Sequence, residues 1–222
     1  MNRLAASLLG LLLTLSFGVE AAAQKKDEQP KRKFTRDIPR DDWVPAYFND
    51  IDRVAKNVRL PTLRTPLREG EVELRVWEIN TLTWPKGFRM RRTHEGWSAS
   101  YFRSGYVGGR DEGYEKRLNE PKSGWEGAWK RLVGLGMLEL PDAEAIHCIS
   151  AGMRDGHSYV VETNVERSYR TYRYSNPEAA GCADAKRMVS VVSAIVEEFG
   201  LKEIEPYDTS PYRPRGGLNG RE

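Results

Sequence analysis

Residues 157–200, HSYVVETNVERSYRTYRYSNPEAAGCADAKRMVSVVSAIVEEFG, decide the fold. His157 to Thr163 and Ser168 to Tyr174 are rich in β-branched and aromatic residues, the types that fit a pleated, half-buried surface. They predict two strands. Asn176 is a good helix N-cap and Pro177 a good first helical residue. Cys182, Ala185, Val189, Val192, Val196 and Phe199 then recur at spacings of 3, 4, 3, 4 and 3. That spacing lays one apolar stripe along a helix, and Gly200 closes it. The stretch predicts a β-hairpin followed by a long amphipathic helix, with Cys182 on the buried face.

The preceding sequence supports the same class. Val72 to Ile79, VELRVWEI, alternates Val72, Leu74 and Val76 with Glu73 and Arg75, as a half-buried strand does. GFRMRRT (87–93) and WSASYFR (97–103) flank Glu95-Gly96, a hairpin turn signal. Ser104 to Gly113 reads as a long glycine-rich loop. Ser123 and Glu126 match a capping box, with Trp125, Trp129 and Leu132 on one face of the helix that follows. Ala145 to Ser150 reads as a short strand and Asp155-Gly156 as a turn. Residues 42–66 are ambiguous: Tyr47, Ile51, Val54 and Val58 suit a helix, whereas Asn57 to Leu60 equally suits the start of a strand.

The expected fold class is α+β: an antiparallel sheet built from two strand–hairpin–helix units, residues 70–137 and 144–200, with helices packed on one face. The pattern DGHSYVVETN…SYRTYRYSNPEA with its following helix, over about residues 155–199, resembles small uncharacterised exported proteins of bacteria. That resemblance implies no activity.

The N-terminus sets the compartment. Arg3 precedes an uncharged apolar run from Leu4 to Gly18, and Ala21-Ala22-Ala23 supplies small residues at a cleavage site. This is the order of a secretory signal peptide spanning residues 1–23. The run is shorter than the ~20 residues of a spanning helix, which weighs against a membrane anchor. The expected location is therefore periplasmic or secreted. In an oxidising compartment the two cysteines, Cys148 and Cys182, are expected to form a disulfide. Residues 24–41 read as a disordered basic arm, 42–205 as a single domain, and 206–222 as a disordered tail.

The net charge is +3, and outside the arm both signs are mixed along the chain. No concentrated basic stripe suggests a nucleic-acid partner. His94, His147 and His157 show no zinc-ligand spacing, and no nucleophile elbow, Walker loop or dinucleotide fingerprint is present. No metal or cofactor is expected. Among the carboxylates, Glu73 and Glu78 fall on opposite faces of one strand. Glu162, with Ser158 and Val160 on its face, is the single candidate for catalysis, against an ordinary ion pair with Arg170 or Arg173 across the hairpin.

Tyr and Arg are the types enriched at binding hot spots. The candidate binding residues are accordingly Arg170, Tyr172, Arg173 and Tyr174 on the second strand of the hairpin, with Arg91 and Arg103 on the first hairpin. Arg170, Tyr172 and Tyr174 share one face; Arg173 shares the other with Tyr169. The expected function is a non-enzymatic envelope binding or interaction module for a protein or an anionic glycan. The alternative is a carboxylate-dependent hydrolase.

Overall fold

The computed structural model describes residues 33–40, 43–80, 85–107, 110–148 and 156–201. The expected signal segment, most of the expected arm and residues 206–222 lie outside the described residues. The elements are β1 (Thr35–Asp37), α1 (Trp43–Asn57), β2 (Val72–Asn80), β3 (Lys86–Thr93), β4 (Gly96–Val107), β5 (Arg110–Arg117), α2 (Trp125–Gly134), β6 (His157–Val165), β7 (Ser168–Ser175) and α3 (Ala183–Phe199). The strands form one sheet in the order β1-β7-β6-β2-β3-β4-β5. Every neighbouring pair is antiparallel except β1 with β7, so the sheet is mixed. The α+β class stands. Thr35–Asp37, inside the stretch expected to be a disordered arm, supplies the parallel strand.

The helices lie on both faces, not one. Leu74, Val76, Phe88, Met90, Val161, Tyr172 and Tyr174 pack under α2 and α3. Trp77, Phe102 and Val160 face the other way and pack under α1, through Trp43, Ile51, Val54, Ala55 and Val58. The helical reading of 43–57 is therefore the one that forms. Arg59 at φ 57° lets α1 end with Leu60 N–H bonded to Ala55 O and Arg59 N–H to Lys56 O. That paired closure satisfies two terminal carbonyls.

The two-unit order is not reproduced, because four strands lie between α1 and α2 and only two between α2 and α3. The residues read as a loop from Ser104 to Gly113 instead continue β4 to Val107 and open β5 at Arg110. Cys148 ends a run of turns rather than a strand, and Ile149 and Ser150 lie outside the described residues. The turn between β3 and β4 is His94-Glu95, one position earlier than expected, because Gly96 pairs with Thr93.

Two helix starts also differ from expectation. At α2 the N-cap is Gly124, with no side-chain cap, because Ser123 is engaged elsewhere. Its backbone N–H and Oγ both donate to Glu198 at the end of α3, at 3.0 and 2.9 Å. A contact from a distant element outcompetes the local cap. At α3, Asn176 is a left-handed turn residue (φ 44°), and the helix begins after Cys182. The buried face of α3 is Ala185, Met188, Val191, Ala194, Ile195 and Glu198. Val189, Val192 and Val196 are only half-buried. Cys148 and Cys182 are joined by a disulfide, Cα–Cα 5.9 Å, that ties the turn after Leu140 to the start of α3.

Candidate functional site

The α1-side face of the sheet carries an unusual polar row. Directly opposed residues of antiparallel strands share a face. Thr171 on β7 opposes Glu162 on β6, which opposes Arg75 on β2, then Arg89 on β3, Ser100 on β4 and Arg117 on β5. Six strands thus align Thr, Glu, Arg, Arg, Ser and Arg. One row away lie Val160, Trp77, Gly87, Phe102 and Glu115, and on the other side Asn164, Glu73, Arg91 and Ser98. Gly87 makes the first of these neighbours possible. A Cβ there would sit 2.3 Å from the Phe102 ring, whereas glycine lets Phe102 and Trp77 meet at 4.8 Å between centroids.

The row is sealed at one end and open at the other. Glu162 is 2 % exposed. It accepts hydrogen bonds from Trp77 Nε1 at 2.7 Å and Tyr169 OH at 2.8 Å. Burial, reinforced by the Glu162 charge, pushes the Tyr169 phenol far up, so it stays a donor. Next along, Glu73 and Arg75 are both 1 % exposed. Arg75 Nε donates to Glu73 at 2.7 Å, and Arg89 adds Nε and Nη2 bonds at 2.9 and 3.2 Å. Burial alone would raise the Glu73 pKa. The charges and hydrogen bonds of Arg75 and Arg89 override it and hold the carboxyl below its ordinary value.

Beyond Arg89 the face opens into a recess of about 460 Å³ lined by Arg89, Ser98, Ser100, Glu115 and Arg117 together with Thr93, Glu95, Gly96 and Trp97 around the turn. That volume lies in the range of small-ligand sites. Ser100 forms the floor: it is 7 % exposed, and its Oγ is buried without a hydrogen-bond partner. Arg117 is exposed, and no described carboxylate pairs with it. α1 meets the β4–β5 hairpin at Gly113. There a Cβ on Gly113 would sit 2.3 Å from Asn57 O, so only glycine admits the end of the helix.

The sequence-derived site residues are not brought together. Tyr172 and Tyr174 are each 1 % exposed beneath α3, with Tyr172 OH donating to Met137 O at 2.7 Å. Arg170 shares their face, as expected, but pairs with Asp37 of β1 at 2.9 Å and donates to Leu138 O. Arg173, on the opposite face, stacks over Trp43 and Tyr47 and pairs with Glu144. Neither arginine pairs with Glu162, because Glu162 opposes Thr171 and turns to Trp77 and Tyr169. Arg91 pairs with Glu71 at 2.9 Å. Arg103 is exposed on the α2/α3-side face of the β4–β5 hairpin, with its guanidinium 5.3 Å from the centre of the half-exposed Tyr114 ring.

Arg89, Ser100 and Arg117, which line the recess, were not singled out from the sequence. Their only common signal is register across two hairpins, and one of those hairpins was read as a loop. Among the described residues no group of His, Cys, Asp and Glu is gathered as a metal site requires. His157 Nε2 lies 3.3 Å from Glu178, and pairing with that carboxylate, opposed by burial, raises the imidazole pKa. No described helix is long and apolar enough to cross a membrane. Comparison of the chain with protein-family models, curated proteins and solved structures returns no match.

Proposed function

We propose that this chain is an exported, non-enzymatic binding protein of the cell envelope, periplasmic or secreted, whose β3–β4–β5 wing holds an anionic polymer. The observation that carries the reading is the open end of the polar row. Arg117 is an exposed cation without a described partner, beside a recess with a second arginine and an unpaired hydroxyl on its floor. The other face of the same wing adds exposed Arg103 and Lys116 beside Tyr114. Exposed cations on a thin, two-sided blade suit a long anionic chain, which binds through several weak, salt-sensitive contacts. The Cys148–Cys182 disulfide and the signal-like N-terminus support export.

The carboxylate-hydrolase reading has no comparable support, because Glu162 is 2 % exposed, is engaged by Trp77 and Tyr169, and is not among the residues lining the recess. The protein, expressed from its full sequence and purified after export, should be retained on an immobilised acidic polysaccharide and not on a neutral one. Rising salt should release it. Equal retention on both resins, or none on either, would refute the reading. Retention only by an acidic protein surface would move the partner to the protein class.

A further inference from the structure

Resting on that reading, we infer that the recess over Arg89, Ser100 and Arg117 is a subsite for one monoanionic sugar unit, a hexose ring bearing a single carboxylate. The recess is built around a fixed guanidinium. Glu73 takes Arg89 through Nε and Nη2, which sets the plane of the group and leaves Nη1 outside the pair. Glu73 is itself locked by buried Arg75. Arg117 lies two strands away in the same row, with Ser100 between them. An oxyanion between the two arginines meets two cationic donors, and the Ser100 hydroxyl below has no other partner.

The recess also discriminates against higher charge. Glu95 and Glu115 line it beside the arginines. A dianion such as a phosphate monoester meets like charge from both. A monoanion meets only half of that repulsion, and the hydroxyls on its ring can donate to the same two carboxylates. Arginines for a carboxylate and glutamates for neighbouring hydroxyls are the complement of an acidic hexose. Trp97 is among the residues that line the recess. Its ring lies on the other face, 5.5 Å from Trp129 and bonded through Nε1 to Glu126, so no stacking platform is invoked.

The unpaired floor hydroxyl gives the test a signature that a structural role would not. Ser100→Ala removes a buried polar atom without a protein partner, so the melting temperature should hold or rise. If the hydroxyl donates to a bound carboxylate, affinity should fall about tenfold. Arg117→Gln should cost about fivefold, with a weaker salt dependence. Lys186→Gln, an exposed cation on α3 outside the wing, is the control and should leave binding unchanged; Arg103→Gln probes the far face of the wing separately.

The assay is calorimetric titration of the exported protein and these variants with trigalacturonate, the matching neutral trisaccharide and inorganic phosphate. The expected result is binding of trigalacturonate alone, lost as stated in the two recess variants. Parental affinity in both recess variants overturns the subsite; if Arg103→Gln then loses binding, the polymer reading survives on the other face. Preference for phosphate overturns the carboxylate class. No trigalacturonate binding, together with no retention on acidic resin, overturns the polymer reading as well.

Discussion

Replacing Glu162 separates a structural carboxylate from a catalytic one. The side chain is buried and accepts from two groups of unequal versatility, Trp77 Nε1 at 2.7 Å and Tyr169 OH at 2.8 Å. The indole can only donate; the phenol can also accept. In Glu162→Gln the amide oxygen can keep the tryptophan bond, and the amide nitrogen can donate to the tyrosine oxygen. The charge of both bonds is lost and the tyrosine proton must turn away, a cost of about 1–2 kcal/mol. Glu162→Leu leaves both buried donors without an acceptor. It also removes a negative charge opposite buried Arg75. A loss of about 3–5 kcal/mol is expected, a large share of the 5–15 kcal/mol of an ordinary domain.

The assay is urea unfolding of the parent, Glu162→Gln, Glu162→Leu, Tyr169→Phe and the Glu162→Leu/Tyr169→Phe pair. Tyr169→Phe should cost about 1.5–3 kcal/mol in the parent and far less in the leucine background, because the bond is already gone. If Glu162→Leu falls within about 0.5 kcal/mol of the parent, or if the two changes add without coupling, the carboxylate does not hold this face and the reasoning fails.

Three further outcomes follow from the same contacts. Removing the disulfide by Cys148→Ser with Cys182→Ser opens a link with a sequence separation of 34; chain entropy predicts a loss of about 3.8 kcal/mol, and thiol labelling of the denatured, unreduced parent should find no free cysteine. Val191→Asp should unfold the protein, whereas Val192→Asp, at a half-buried position, should leave a folded species by circular dichroism; the reverse order would place the wrong face of α3 against the sheet. Glu73 and Glu198 both have lowered pKa values in the folded state, because their arginine and serine partners outweigh burial. Their stabilisation is complete above the ordinary carboxyl value of 4.5 and is lost as pH falls through the folded values, so the urea midpoint should drop on acidification and Glu198→Gln should flatten that drop.

The elements with strong local signals were legible. β6 and β7 are dense in valine and tyrosine, and Gly200 at φ 58° ends α3 where the pattern placed it. The face of α3 was not legible, because residues 188–196 are apolar over too wide an arc for spacing to choose between Val191 and Val192. The sheet made that choice. Ser123 had the sequence of a cap and lost the role to Glu198, which arrives from the far end of another helix. Glu73 and Arg75 read as solvent-facing because alternation reports which residues share a face and is silent on what covers it. Both are buried: Glu73 accepts from Arg75 and Arg89, and Glu73 in turn meets the charge of Arg75.

The same silence explains why Tyr172 and Arg173 drew attention and Arg117 did not. Composition marks tyrosine and arginine as binding types wherever they occur, yet β7 is flanked by β1 and β6 and has helices over both faces, so its aromatic rings are spent on packing. β5 has the opposite character. RDEGYEKR contains one large apolar residue, which is why it read as loop, and that composition is tolerated because the strand is an edge that buries little. An edge strand need not donate its side chains to a core, so its charges are left for solvent or a ligand. The row that begins as a sealed Glu162–Trp77–Tyr169 cluster therefore ends as an accessible arginine, and the change from structural to available charge occurs between Arg75 and Arg117 along a single line of opposed residues.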